Sequence, residues 1–218
     1  GEQHRVARLV RHAGEPGRRA APQVGREHVR TERHGDEDDE DGASAYEYVD
    51  AGEGTLRYAK RGSGDETVIL IHGFGGDLDN WLFNIDAIAE NATVYALDLP
   101  GHGGSSGRRL NLKLGVEAAQ AASDWLGPFD LIIGHSFGGA VGVNAVTGAI
   151  VGTRRLQAAK LVTILAPSSM PALFADVGRF FGLGKRAQAA MEARIHKLAG
   201  RPLADFVSSS QIKAFDGE

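Results

Sequence analysis

Phe129-Asp130-Leu131-Ile132-Ile133-Gly134-His135-Ser136-Phe137-Gly138 is the stretch that decides the fold. Phe129 to Ile133 reads as a buried strand, and a helix rich in glycine and alanine opens near Phe137. A chain that passes from strand to helix this abruptly needs small residues at both ends of the turn, because the backbone is strained and its neighbours come close. Such a turn lifts the Ser136 hydroxyl above the sheet. It also leaves the free N–H groups of a helix N-terminus behind that hydroxyl. A plainer reading exists, in which Gly138, Gly139 and Gly142 merely permit tight packing and Ser136 caps the helix. The strand before and the helix after favour the exposed nucleophile.

Outward from this turn, strands and helices alternate. Thr55 to Lys60 alternates like a half-buried strand, and Thr67 to Ile71 is a continuous apolar run. Asn80 to Glu90 has helical spacing, with Asp77 or Asp79 near its start. Thr93 to Leu97 predicts a strand, Leu112 to Leu126 a helix, and Leu161 to Leu165 a further strand. This order predicts an α/β fold with a mostly parallel sheet and helices on both faces. After Ala166 the spacing predicts helices over 172–181, 184–198 and 203–212, the first with Pro171 before it.

Composition narrows the function. Lys+Arg is 24 against Asp+Glu 28, so there is no excess of cations to displace counterions from phosphates, and no nucleic-acid partner is expected. Cysteine is absent, which removes disulfides, thiolate metal sites and cysteine nucleophiles. No apolar run is long enough to span a bilayer and no secretory signal is evident, so the expected location is cytoplasmic. Residues 1–44 hold eight Arg, no Lys and four His, and close with the acidic run Asp36 to Asp41. So polar a segment reads as a disordered tail or linker. It precedes a core over residues 45–166 and a helical segment over residues 167–218.

Two glycine-rich loops complete the pattern. His72-Gly73-Phe74-Gly75-Gly76 follows the strand that ends at Ile71 and can aim the Phe74 N–H at a developing oxyanion, with the Phe137 N–H as second donor. Alone, the same loop is an ordinary glycine turn. In Asp98-Leu99-Pro100-Gly101-His102-Gly103-Gly104-Ser105-Ser106, Asp98 and His102 read as structural hydrogen-bonding groups. No G-x-G-x-x-G opens the first βα turn, and no dinucleotide, metal or other cofactor is expected.

These three motifs, in this order, resemble the α/β-hydrolase superfamily, whose members use a Ser–acid–His triad. Over Tyr48 to Gly104, with His72 to Trp81 carrying the likeness, the chain is similar to one subset of it. That subset is the hydrolase-like domain of the dihydrolipoamide acetyltransferase component of bacterial acetoin dehydrogenase complexes. The resemblance implies a serine hydrolase or acyltransferase acting through an acyl-Ser136 intermediate on a small ester or thioester. It also implies a lipoyl-bearing acyltransferase complex as a partner. The alternative is a non-catalytic, hydrolase-like module of such a complex.

The chain departs from the superfamily where a triad needs its acid and histidine. Only 82 residues follow Ser136, and the loop Ala166-Pro167-Ser168-Ser169 holds no carboxylate. Asp176 and His196 have the right order, but His196 sits in a helical stretch beside Lys197 and reads as a surface or cap residue. His135 points the wrong way along the turn to act as base. The chain starts at Gly1 rather than Met, and the expectation is a partial chain that lacks the last strands, the acid and the histidine. Low esterase activity and poor solubility are expected with it. Leu173, Phe174, Val177, Phe180, Phe181, Met191, Ile195 and Leu198 form apolar stripes that pack, or in part line an acyl pocket.

Overall fold

The computed structural model describes residues 46–51 and 54–217. The tail or linker expected over residues 1–44 lies outside them. Six strands form one sheet: β1 (Tyr46–Asp50), β2 (Thr55–Arg61), β3 (Glu66–Ile71), β4 (Ala92–Leu97), β5 (Leu131–His135) and β6 (Lys160–Ile164). Their order is β1-β2-β4-β3-β5-β6. The β1/β2 and β2/β4 pairs are antiparallel, and the others are parallel. The α/β reading therefore holds, with an antiparallel hairpin at one margin. Its β1 strand carried no clear alternation in the sequence.

Helices cover both faces. α1 (Leu82–Ala89) lies on one, α2 (Leu112–Leu126) and α3 (Phe137–Thr147) on the other. Val68 and Leu70 of β3 pack with Trp81, Ile85 and Ile88, while Ile69 and Ile71 pack with Val116, Ala119, Val141 and Ala145. Burial on both faces is why β3 reads as an unbroken apolar run rather than an alternation. Local signals agree with these helices. Asp77 and Asn80 form a capping box on the 3-10 turn Leu78–Trp81 that leads into α1, and the Asn111 side chain caps α2.

Beyond β6 come α4 (Met170–Phe180), α5 (Lys185–Ala199) and the short α6 (Ser208–Gln211). Three expectations are corrected here. Pro171 lies inside the first turn of α4, where its missing N–H costs nothing. Leu165 is not in β6 but follows it at φ 52°, largely exposed. The single helix expected over 203–212 is broken into a 3-10 turn Leu203–Asp205, then α6, then a second 3-10 turn Ile212–Ala214. The cause is non-local pairing. The Phe206 carbonyl accepts from Met170 N–H and the Ser208 N–H donates to Ser168, which uses groups a continuous helix would need. Phe206 is thereby drawn into the cluster around the sheet.

The chain order places β4 on one side of β3 and β5 on the other. Loops leaving the carboxyl ends of β3 and β5 diverge, and a crevice at such a switch point is where open parallel sheets bind ligands.

Candidate active site

Ser136 lies at that switch point, between β5 and α3, with φ 50° and ψ −115°. Only one other non-glycine residue described, Leu165, has a positive φ, and it directly follows the neighbouring strand. A non-glycine residue held there stores about 1–3 kcal/mol of strain, tolerated only where the surroundings fix it. The fixing groups are visible. Ser136 N–H donates to the Ile164 carbonyl at 2.8 Å, and its own carbonyl accepts from Gly139 and Ala140. A Cβ on Gly138 would lie 2.1 Å from the Ile71 carbonyl oxygen, and one on Gly134 2.4 Å from the Gly138 oxygen. Glycine is required at both positions because backbone meets backbone.

Ser136 holds the N-cap position of α3, yet its hydroxyl makes no capping bond. The plainer reading of this residue therefore lacks its hydrogen bond. The hydroxyl is half-buried, and the N–H groups of Phe137 and Gly138 precede the first intrahelical bond and have no acceptor among the described residues. Gly73 abuts the serine, since a Cβ built there would stand 3.2 Å from Ser136 Cβ. The Phe74 N–H likewise has no acceptor among the described residues. The Phe74 ring is 70% exposed and meets the Phe137 ring edge-on at 6.1 Å. The three residues singled out from sequence, Ser136, Phe74 and Phe137, are thus brought together at the carboxyl ends of β3 and β5. The arrangement offers a hydroxyl, amide dipoles with no acceptor among the described residues, and an apolar rim.

Behind this crevice lies a polar scaffold. Buried Asp98 accepts from Arg57 Nε at 2.5 Å, Leu78 N–H at 2.7 Å and Gly104 N–H at 2.8 Å. So fully bonded a carboxylate is structural, as its sequence setting implied. Burial lowers the Arg57 pKa, but the hydrogen bond and charge of Asp98 outweigh it and the net shift is upward. Arg57 also lies over the Tyr46 ring, 4.5 Å from its centroid. Nothing in the local sequence of β2 marked Arg57; its partner is 41 residues away. His72 is fully buried, accepts the Leu99 N–H at Nε2 and donates from Nδ1 to the Gly73 carbonyl. Burial pushes its pKa below the ordinary value, opposed by the Gly73 carbonyl and Asp98.

None of the four described histidines is hydrogen-bonded to Ser136. His72 and His102 have both ring nitrogens occupied elsewhere. His135 lies against Gly73, and His196 is exposed in the last turn of α5. Asp176 is ion-paired with Arg179 on its own helix. Among the residues expected to form an acyl pocket, Phe174 packs against the core, whereas Phe180 and Phe181 are 83% and 68% exposed and meet each other edge-to-face. Among the described residues no cluster of His, Asp or Glu is arranged to hold a metal, and no helix is long and apolar enough to cross a membrane.

The chain is 44% identical over 128 residues to the dihydrolipoyllysine-residue acetyltransferase component of the acetoin cleaving system of Cupriavidus necator, covering 52% of this chain and 31% of that one. Identity to the component of the same name from Pseudomonas putida is 45% over 87 residues, 38% of this chain and 23% of that one. The chain thus spans less than a third of the length of these curated relatives. Among solved structures, the thioesterase domain from the curacin biosynthetic pathway superposes with a TM-score of 0.54 at 15% identity, covering 81% of this chain and 80% of that one. That likeness is one of fold. The model of the alpha/beta hydrolase family matches residues 68–216, and the chain belongs to that family.

Proposed function

We propose that this chain is an acyl-transfer domain in which Ser136 attacks the carbonyl carbon of an ester or thioester. The observation that carries the proposal is the strained backbone of Ser136, whose hydroxyl makes no capping bond and stands beside N–H groups that have no acceptor among the described residues. In the addition step the hydroxyl proton passes to a base while a C–O bond forms. The carbonyl oxygen takes up negative charge facing the Phe74 and Phe137 N–H groups. Collapse expels an alkoxide or thiolate, which takes the proton, and leaves acyl-Ser136. Water as acceptor completes hydrolysis, and a thiol acceptor completes transfer. Each oxyanion donor is worth on the order of 3 kcal/mol in such a step. Phe74 and Leu165, each one residue beyond a backbone group that abuts Ser136, give the crevice an apolar rim suited to an acyl group. The acetyltransferase names of the relatives support acyl chemistry, and their place in the acetoin cleaving system supports a lipoyl-bearing complex as partner.

A second reading, a hydrolase-like module without catalysis, is favoured by one observation: no described histidine meets Ser136. Reaction with a fluorophosphonate probe separates the two. Acyl transfer predicts modification at Ser136 that Ser136→Ala abolishes. It also predicts hydrolysis of p-nitrophenyl acetate below ordinary esterase rates, because no described histidine stands ready as base. A chain that the probe leaves unmodified is a module.

A further inference from the structure

The loop that carries the Phe74 N–H is a tight turn whose two peptide planes are each held by a histidine. Gly76 N–H donates to the Gly73 carbonyl at 3.1 Å, and Gly75 has φ +77°, so Gly73 to Gly76 form a type II turn. A turn closed by this one hydrogen bond can hold its central peptide in either of two opposed orientations, type I or type II. Glycine at the third position already favours type II, and a bond from outside the turn holds it there: the Gly75 N–H donates to His102 Nε2 at 3.1 Å. The preceding plane is fixed separately, because the Gly73 carbonyl also accepts from His72 Nδ1 at 2.7 Å. A planar trans peptide points its N–H opposite its carbonyl, so the direction of the Phe74 N–H follows.

His102 is itself braced. As Nε2 accepts, Nδ1 carries the proton and donates to the Pro100 carbonyl at 3.1 Å. His102 N–H bonds the Leu99 carbonyl, its own carbonyl accepts from Ser105, and Gly104 is tied to buried Asp98. The imidazole leans on the His72 ring at 5.4 Å and meets the Phe74 ring edge-on at 5.5 Å. From this geometry we infer that His102 is a positioning residue for the oxyanion loop: it holds the Phe74–Gly75 peptide, while His72 and the turn's closing bond hold the Gly73–Phe74 peptide that carries the Phe74 N–H, and releasing the first plane loosens Phe74, the residue the two planes share, beside Ser136. The inference rests on the acyl-serine reading for its catalytic meaning.

Two measurements on the whole chain test it. The first is amide hydrogen exchange at Gly75. The second is the rate of fluorophosphonate reaction at Ser136, with kcat and KM for p-nitrophenyl acetate wherever turnover is detected. Replacing His102→Leu removes the acceptor, while His102→Gln keeps one at similar reach. The Leu variant is expected to lose Gly75 protection with the amides of Ile69 and Ile132 unchanged. Its probe reaction should slow by roughly tenfold to a hundredfold, and its kcat should fall with KM unaltered. The Gln variant should recover most of both. Unchanged Gly75 exchange in the Leu variant overturns the inference, as does an undiminished probe rate. A wild-type chain inert to the probe defeats the acyl-serine reading instead. Exchange at Gly75 then decides on His102 alone: protection lost upholds the clamp, and protection kept overturns it.

Discussion

β5 and β6 are neighbours in one parallel sheet, and their sequences read alike as short apolar runs. Their surroundings differ. Leu131, Ile132 and Ile133 of β5 are at most 1% exposed, whereas in β6 Leu161, Val162 and Ile164 are only half-buried and Thr163 is exposed. β5 lies between β3 and β6, while β6 has, among the described residues, a strand on one side only. An apolar run therefore states what a strand can bury. The layers around it decide how much is buried. The candidate site draws on both strands: the central one presents Ser136, and the marginal one fixes it through the Ile164 carbonyl.

The contrast is sharpest in backbone packing. Gly138→Ala sets a Cβ against the Ile71 and His72 carbonyl oxygens at the centre. It should destabilise the chain by about 3 kcal/mol or more in urea denaturation, because neither strand nor helix can give way. Gly182→Ala, between α4 and α5, meets nothing within 4 Å and carries only its φ of +63°. Its loss should be about 1 kcal/mol. Equal losses would mean that the centre is no tighter than the margin.

A smaller difference is expected from side chains. Ile132→Ala removes a side chain with no exposure and should lower stability by about 2–5 kcal/mol. Leu161→Ala removes one that already meets solvent, and about 1 kcal/mol is expected. Denaturation midpoints of the two variants test this. A larger loss for Leu161 would show β6 covered in solution.

The last effect is a slope rather than a step. Burial holds the His72 pKa below that of the unfolded chain, about 6.5. Between those two values the unfolded chain binds the proton more readily, so stability falls as pH drops below about 6.5 and levels off once the folded-state pKa is passed. His72→Asn should be less stable at neutral pH and should lack that slope. An unaltered slope would assign acid sensitivity to the margin instead.

Much of this was legible in the residues themselves. The strand-to-helix turn at Ser136, the loop at Gly73 and Phe74, and α2 all follow from spacings within a dozen or so residues. Their causes are local: periodicity, capping oxygens and small residues where backbones touch. The break within residues 203–212 was not legible, because Phe206 and Ser208 exchange hydrogen bonds with a segment some forty residues earlier. Arg57 went unnoticed for the same reason. Its charge is matched by Asp98, in the loop just after β4.

What the sequence alone determined is the α/β alternation, the turn that presents Ser136, and the two amide groups expected to face it. Each depends on short-range backbone geometry that a few side chains impose. Only the tertiary structure decided how far each residue of β6 is covered, that Leu165 is strained and exposed, and that His72 and His102 brace the loop at Phe74. These depend on which distant segments meet, and a hydrogen bond across the fold leaves no periodic mark in either partner's neighbourhood.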